Sequence, residues 1–162
     1  MGKRYLLLFG IAFLFLFLWR TSLAQPTGLE AKNVVYYLYK NDKLEWSFKA
    51  KTLVQIAPNE YKAEDITIEN KPQKIKITGK LAFFNRLKEE LVVKGNAVLT
   101  APKVGMILTD ELEFFLKEGL VTSKGEVLVK KEGMTIKGKG MIYKIKTGEF
   151  KLKEKARIKF EL

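Results

Sequence analysis

The chain lacks two residue types on which many active sites and metal centres depend. Its 162 residues include no cysteine and no histidine. Without cysteine there is neither a disulfide framework nor a thiol nucleophile. Without histidine, the usual proton shuttle near neutral pH and the commonest metal ligand are absent. We therefore predict no metal site and no bound cofactor.

Other catalytic groups are also poorly represented. The serines are Ser22, Ser47 and Ser123, and a serine nucleophile needs an activating base. The adjacent acids Glu89 and Glu90 do not form a natural carboxylate pair, because neighbouring side chains of a strand point to opposite faces. We predict that the protein is not an enzyme.

The motif Gly138-Lys139-Gly140 has both a structural and a functional interpretation. Gly138-Lys139-Gly140 resembles the start of a dinucleotide-binding loop, but Tyr143 stands where the third glycine belongs and no helical pattern follows. We interpret the motif as a turn in a β-hairpin.

Helical periodicity is missing after residue 30, and a β pattern takes its place. Leu44, Trp46 and Phe48 alternate with polar residues, which is typical of a half-buried strand. Turn-forming pairs such as Asn41-Asp42 and Pro58-Asn59 separate the apolar runs. The sequence therefore predicts an all-β fold.

A short pattern of an apolar residue, Lys or Thr, a small or turn-type residue, and usually Lys occurs four times. The copies are Phe48-Lys49-Ala50-Lys51, Ile77-Thr78-Gly79-Lys80, Leu108-Thr109-Asp110-Glu111 and Ile136-Lys137-Gly138-Lys139. Successive copies are separated by 29, 31 and 28 residues, a period typical of repeat architectures. We expect a twisted, open β-jellyroll or β-roll of stacked repeats, with two sheets facing each other.

The inner face of such a roll is predicted from the apolar members of the strands. They are Trp46, Phe48, Ile66, Ile68, Ile75, Ile77, Phe83, Leu91, Val93, Leu108, Leu112, Phe114, Val127 and Ile136. Either they form an ordinary packed core, or the two sheets are not fully closed and the apolar lining takes up acyl chains.

Basic residues exceed acidic ones, and the net charge is +12. Such an excess suits an anionic partner such as nucleic acid, anionic lipid or a phosphorylated glycan. Many lysines alternate with apolar residues, as in Lys74-Ile75-Lys76-Ile77, so a solvated outer face explains them equally well.

The N-terminal segment directs the chain to a membrane. Lys3 and Arg4 precede an uncharged run from Tyr5 to Trp19, closed by Arg20. As a helix this run is about 22 Å long, somewhat short of the roughly 30 Å hydrocarbon core. It is either a retained anchor or a signal peptide cleaved after Ser22-Leu23-Ala24. Its representative apolar positions are Tyr5, Leu8, Phe13, Leu16 and Trp19.

These observations divide the chain into three parts. We predict a helical anchor or signal peptide over 1–24, a linker over 25–33, and an extracytoplasmic β domain over 34–162. The predicted location outside the cytoplasm argues against nucleic acid as the partner.

The chain resembles the LptC family of the wider OstA-like β-jellyroll superfamily. The stretch from Val34 to Trp46 is similar to the family's opening hairpin, and Lys49-Ala50-Lys51 follows it. Lys94-Gly95-Asn96-Ala97-Val98 and Leu108-Thr109-Asp110-Glu111-Leu112 resemble the repeat of the superfamily. The order and spacing of these motifs carry the resemblance, which covers nearly the whole chain.

The resemblance implies a single-pass protein of the inner membrane with its C-terminal domain in the periplasm. It implies transfer of lipopolysaccharide from an ABC transporter of the LptB, LptF and LptG type to an LptA-like periplasmic bridge protein, with acyl chains held between the sheets. It also implies partner-binding edge strands, one around Val34, Tyr36 and Tyr39 facing the transporter, and one around Ala156, Ile158 and Phe160 facing the bridge. A soluble LptA-like shuttle and a structural β-roll without lipid remain as alternatives.

Overall fold

The computed structural model describes residues 28–161, which form nine β-strands and contain no helix. The strands are β1 (Glu30–Lys40), β2 (Lys43–Ala57), β3 (Glu60–Asn70), β4 (Ile75–Asn85), β5 (Glu90–Ala101), β6 (Gly105–Phe115), β7 (Leu120–Lys131), β8 (Met134–Lys144) and β9 (Phe150–Phe160). The all-β prediction is confirmed for this part of the chain. The predicted N-terminal helix lies outside the described residues.

Each strand pairs antiparallel with the next, so the strands form one continuous nine-stranded sheet in chain order. Within the described residues β1 and β9 are its two edges. We expected two sheets, but the strands form one, because every connection is a short hairpin turn between neighbouring strands.

The β domain begins earlier than predicted. β1 starts at Glu30, and Glu30 and Ala31 already pair with Val54 and Leu53 of β2. The linker predicted over 25–33 therefore ends too late, because Glu30 to Asn33 already belong to β1. The sequence did not mark these residues as a strand, because most of their side chains are exposed on an edge strand and they lack the apolar alternation of a buried strand.

A line of irregularities crosses the sheet near the middle of its strands. Register shifts interrupt the five consecutive pairings from β4–β5 to β8–β9, for example between Thr78 and Leu81 and between Lys94 and Ala97. Positive φ values occur along the same line, 48° at Asn96 and 72° at Gly140. Such bulges bend a strand and increase its twist, so they form a crease across the sheet.

The repeated sequence pattern lies on this crease. Gly79-Lys80 and Gly138-Lys139 fall at register shifts inside β4 and β8. The interpretation of Gly138-Lys139-Gly140 as a hairpin turn is consequently wrong, because these residues lie in the middle of β8. A bulge uses a left-handed glycine as a turn does, and the sequence alone does not distinguish the two.

The sheet folds over at the crease. The rings of Trp46 in β2 and Phe114 in β6 lie 5.5 Å apart, although four strand spacings in a flat sheet separate such residues by about 19 Å. Lys103, in the β5–β6 turn, donates from Nζ to the carbonyl oxygen of Thr147, in the β8–β9 turn, at 3.2 Å. The two halves of the bent sheet therefore face each other and enclose the core.

Side chains compensate where the crease interrupts the β6–β7 pairing between Leu108 and Glu113. The Thr109 hydroxyl donates to the carbonyl oxygen of Glu126 at 2.8 Å and lies 3.0 Å from the Ser123 hydroxyl. The backbone N–H of Gly125 donates to the Ser123 hydroxyl oxygen at 3.3 Å. Buried Ser123 thus holds two strands together where their backbones do not pair.

We predict that Gly79→Ala destabilises the domain. A Cβ at residue 79 overlaps Cγ1 of the fully buried Val93, and overpacking of this kind costs about 1–3 kcal/mol. Chemical denaturation measures the difference. Gly125→Ala is the matched control, because a Cβ there meets no atom within 4 Å; equal destabilisation by both substitutions would contradict the packing argument.

Candidate functional site

An apolar row crosses the inner face of the sheet from one edge to the other. Each member is the direct cross-strand partner of the next: Tyr36, Phe48, Ile68, Ile77, Leu99, Ile107, Val129, Ile136 and Ile158. Directly opposed residues share one face of a sheet. Eight strand spacings make this inner row about 38 Å long.

The inner row is closed in its middle and open at its ends. Ile77, Leu99 and Ile107 are 0–1% exposed. Tyr36 at the β1 edge is 37% exposed and Ile158 at the β9 edge is 58% exposed. The folded sheet covers its own centre, whereas at the two edges part of the inner face has no opposing layer.

A second inner row runs parallel to the first on the other side of the crease. Its members are Tyr61, Phe84, Leu91, Phe114, Val121, Tyr143 and Phe150. Burial raises the pKa of the Tyr143 phenol, because the charged form is poorly solvated there. This row shows the same gradient, with Phe114, Val121 and Tyr143 buried and its terminal members half-buried.

Most residues predicted to line the groove do face inward. The fully buried ones are Ile66, Ile68, Ile75, Ile77, Leu91, Val93, Leu112, Phe114 and Val127. Trp46, Phe48 and Ile136 are partly buried and pack against this core. These residues form a packed core at the centre of the fold, and accessible apolar surface is confined to the ends.

Two of the residues predicted to line the groove, Phe83 and Leu108, lie on the outer face of the sheet. Phe83 pairs with Val92 on the outer face, where Nζ of Lys94 is 5.9 Å from its ring centroid. Its neighbour Phe84 packs against the core instead. Between the pairs Thr78↔Val98 and Leu81↔Lys94, β4 contains one residue fewer than β5. The inward face of β4 therefore changes from odd to even positions, and strict alternation counted from Ile77 selects the wrong phenylalanine.

Leu108 is the second correction. It pairs with Val98 and Leu128 on the outer face, while Ile107 is fully buried. Replacing Leu108 by Ile107 makes the inner members of the repeat Phe48, Ile77, Ile107 and Ile136, at regular separations of 29, 30 and 29 residues. The sequence missed Ile107 because Leu108-Thr109 matches Ile77-Thr78 better as a motif.

The residues predicted for partner binding are on the edge strands. Val34 and Tyr36 of β1 face inward, whereas Tyr39 is exposed after a register shift and contacts Tyr37, with the two ring centroids 6.5 Å apart. On β9, Ile158 pairs with Ile136. Ala156 and Phe160 are exposed on the same strand. Their role in binding partners stays a prediction.

A cavity of about 200 Å³ opens where the second inner row reaches the turns. Its apolar lining includes Ile56, Tyr61, Phe83, Phe84 and Val92. Its lining residues belong to β2, β3, β4 and β5 and the turn between β4 and β5. Another cavity, of about 240 Å³, lies beside the β1–β2 turn, between Lys40 and Pro72.

The outer surface carries the charge. Lys124 Nζ lies 2.9 Å from a Glu113 carboxylate oxygen, and Lys94 Nζ lies 3.3 Å from one of Glu111. A hydrogen bond from Lys71 lowers the pKa of Glu69. Exposed pairs of this kind contribute little stability, so the basic surface is available for solvent or for an anionic partner.

Residues 28–161 contain neither a cluster of metal-binding side chains nor a helix that could span a membrane. No group of three or more acidic side chains is placed to hold a metal ion. No helix in this part of the chain is long and apolar enough to cross a membrane. The predicted anchor residues Tyr5, Leu8, Phe13, Leu16 and Trp19 lie outside the described residues.

The bent, open sheet defines a class of β-jellyroll proteins. It is similar to the crystal structure of LptH from Pseudomonas aeruginosa, the LptA homologous periplasmic component of a lipopolysaccharide transport device. The TM-score is 0.56 at 12% identity, over 72% of this chain and 95% of that one. At this identity the likeness shows the fold alone.

The family model described as lipopolysaccharide-assembly, LptC-related, matches residues 5–161, and the chain belongs to this family. No curated protein matches it. Family membership confirms the resemblance found in the sequence and supports involvement in lipopolysaccharide transport.

The corrected positions of the repeat give a test by substitution. Ile107→Ala is expected to destabilise the domain by about 2–5 kcal/mol, because it opens a cavity in the closed centre. Leu108→Ala removes a half-buried side chain from the outer face, and its cost should be about 1 kcal/mol or less. Denaturant unfolding of the two variants measures both; a larger loss for Leu108→Ala would reverse the assignment of the two faces.

Proposed function

We propose that this protein is a membrane-anchored carrier of lipopolysaccharide in the periplasm. It accepts the lipid from an inner-membrane ABC transporter and passes it to an LptA-like bridge protein, without changing it covalently. The N-terminal run from Tyr5 to Trp19 provides the anchor. The observation that carries the proposal is the inner row, which is apolar throughout and open at both edges.

An apolar face of this shape suits acyl chains. Each buried methylene contributes about 0.8 kcal/mol to binding. The partly buried Phe48 and Ile136 lie between the open ends and the closed centre. Acyl chains entering at an edge therefore meet these residues first, and deeper passage requires the two halves of the sheet to move apart.

The sheet edges provide the means of handover. Within the described residues, β1 and β9 each pair with one neighbour only, so each has an edge available for addition of a partner's strand. The exposed Ile158 and Phe160 extend the apolar face up to the β9 edge. We propose that β9 meets the bridge protein and that β1 faces the transporter.

Photo-crosslinking tests the lipid path. A photoreactive phenylalanine analogue at Phe48 or Ile136 should capture lipopolysaccharide in intact cells. The same analogue at the outward, exposed Lys49 or at Lys76 is the matched control. Capture at the outward positions alone would overturn the proposal and leave a structural β-roll that associates through its edges as the better account.

A soluble shuttle is the second candidate, because Ser22-Leu23-Ala24 has the small-residue pattern of a cleavage site. The anchored carrier predicts an intact chain in the membrane fraction. The intact mass of the protein in the membrane and soluble cell fractions distinguishes the two candidates. A chain beginning at Gln25 in the soluble fraction would favour the shuttle and exclude retention of the anchor.

A further inference from the structure

One rim of the folded sheet carries a row of exposed aliphatic side chains. The rim consists of the N-terminal entry to β1, the end of β2, and the turns β4–β5 and β6–β7. One such residue occurs at each place: Leu29, Ile56, Leu87 and Leu116, which are 43%, 51%, 77% and 41% exposed. We call this set the aliphatic rim.

The members of the aliphatic rim are neighbours in space. The Gln55 N–H donates to the Leu29 carbonyl oxygen at 2.9 Å, which places the chain entry beside Ile56. Backbone bonds from Arg86 to Asn59 (2.9 Å) and from Leu116 to Glu89 (3.0 Å) connect the successive turns. Leu29 and Ile56 lie at the ends of adjacent strands, and about two strand spacings separate each of the other members from the next, so the rim is a row about 25 Å long.

The turns at the opposite ends of the strands differ. The exposed large hydrophobic side chains beside the turns around Asn41, Pro102 and Gly133 are Tyr39, Met106 and Phe160, and none of them is a leucine or isoleucine. Within the described residues, exposed leucine and isoleucine at strand ends and turns are therefore found on the rim where the chain enters, although the β8–β9 turn of that rim carries none. Isolated surface leucines need no explanation, but a regular row on one rim does.

The chain enters the domain at this rim. Leu29 is its first member, and residues 20–28 connect it to the uncharged run that ends at Trp19. Nine residues span at most about 30 Å. With residues 5–19 in the bilayer, as the proposed anchoring requires, the aliphatic rim is the part of the domain tethered closest to the membrane.

The charges are compatible with a lipid surface. Lys88 follows Leu87 and Lys117 follows Leu116, but Glu89 and Glu118 belong to the same turns, so each tip is nearly neutral. The attraction rests on the domain as a whole, since residues 25–162 contain 27 basic and 18 acidic residues. A net positive domain is drawn to an anionic leaflet.

The geometry points to a membrane-docking role for the aliphatic rim: it lies on an anionic bilayer surface, with Leu29, Ile56, Leu87 and Leu116 in the interfacial layer. This inference rests on the anchoring part of the proposed function. Ile56 also lines the cavity that leads to Tyr61 and Phe84. Docking consequently holds this cavity close to the lipid surface.

Depth-dependent fluorescence quenching tests the docking. The chain has no cysteine, so Leu87→Cys and Lys80→Cys each provide a single labelling site in the full chain. Both residues belong to the β4 hairpin, and Lys80 is exposed on the crease about 20 Å from the rim. The proteins are reconstituted into vesicles of phosphatidylcholine with phosphatidylglycerol, containing lipids with a nitroxide near the headgroup.

The label at residue 87 should be quenched strongly, and that at residue 80 weakly. Ile56→Gln with Leu116→Gln should reduce quenching at residue 87, whereas Met106→Gln, which removes an exposed apolar side chain at the opposite ends of the strands without changing the charge, should not. Vesicles of phosphatidylcholine alone should quench less, because each unpaired basic charge at an anionic leaflet strengthens binding about fivefold. The unlabelled chain should remain folded in each variant by circular dichroism.

Three results would overturn the inference: equal quenching at the two positions, no quenching at residue 87, or failure of the full chain to bind vesicles. If the fluorescence of the label at residue 87 changes with protein concentration in the absence of lipid, the rim binds a second copy of the chain and not the membrane. Lipopolysaccharide crosslinking at Phe48 reports separately on the carrier function, so either proposal can fail while the other stands.

Discussion

The crease across the middle of the strands is the constraint on which the rest of this structure depends. A nine-stranded meander without it is an open, twisted sheet whose apolar face has no opposing layer. With bulges in successive strands, the sheet folds over and covers its own apolar face. The contact between Trp46 and Phe114 and the bond from Lys103 to Thr147 are consequences of that fold. The inner rows, their closed centre and their open ends follow from the same bend.

The fold class and the repeat period could be predicted from the sequence because both are local properties. Alternation in β2 and turn signals such as Pro58-Asn59 identify strands without any tertiary information. The crease could not be placed, because a left-handed glycine such as Gly140 is compatible with a turn or with a bulge. That ambiguity accounts for one error of facing: counting straight through the bulge selects Phe83, whereas Phe84 packs against the core. The other error comes from the motif, because Leu108-Thr109 matches Ile77-Thr78, whereas Ile107 is the buried residue.

The gradient of burial could not be predicted from the sequence either. Ile77 and Ile158 are both apolar strand residues, yet one is 1% and the other 58% exposed. The difference depends on whether the opposing half of the sheet reaches that far, which is a property of the folded roll. A closed centre stabilises the domain, while open ends leave apolar surface that a monomer ordinarily avoids. A structure that only needs to be stable gains nothing from such ends, whereas a carrier that must receive and release lipid depends on them.

Core packing and surface exposure are likewise divided between different residues, those of the inner rows and those at the turns. The inner rows use aliphatic and aromatic residues for packing, and the exposed ends of the first row, Tyr36 and Ile158, lie at β1 and β9. The aliphatic rim uses residues in turns, where Leu29, Ile56, Leu87 and Leu116 contribute nothing comparable to the core. Because hairpin turns project from the same side of a meander at every second strand, one exposed side chain per repeat is enough to build a linear apolar surface. The repeat that produces the proposed lipid path inside the roll would therefore also produce, at no cost to packing, the surface proposed to orient the roll on a membrane.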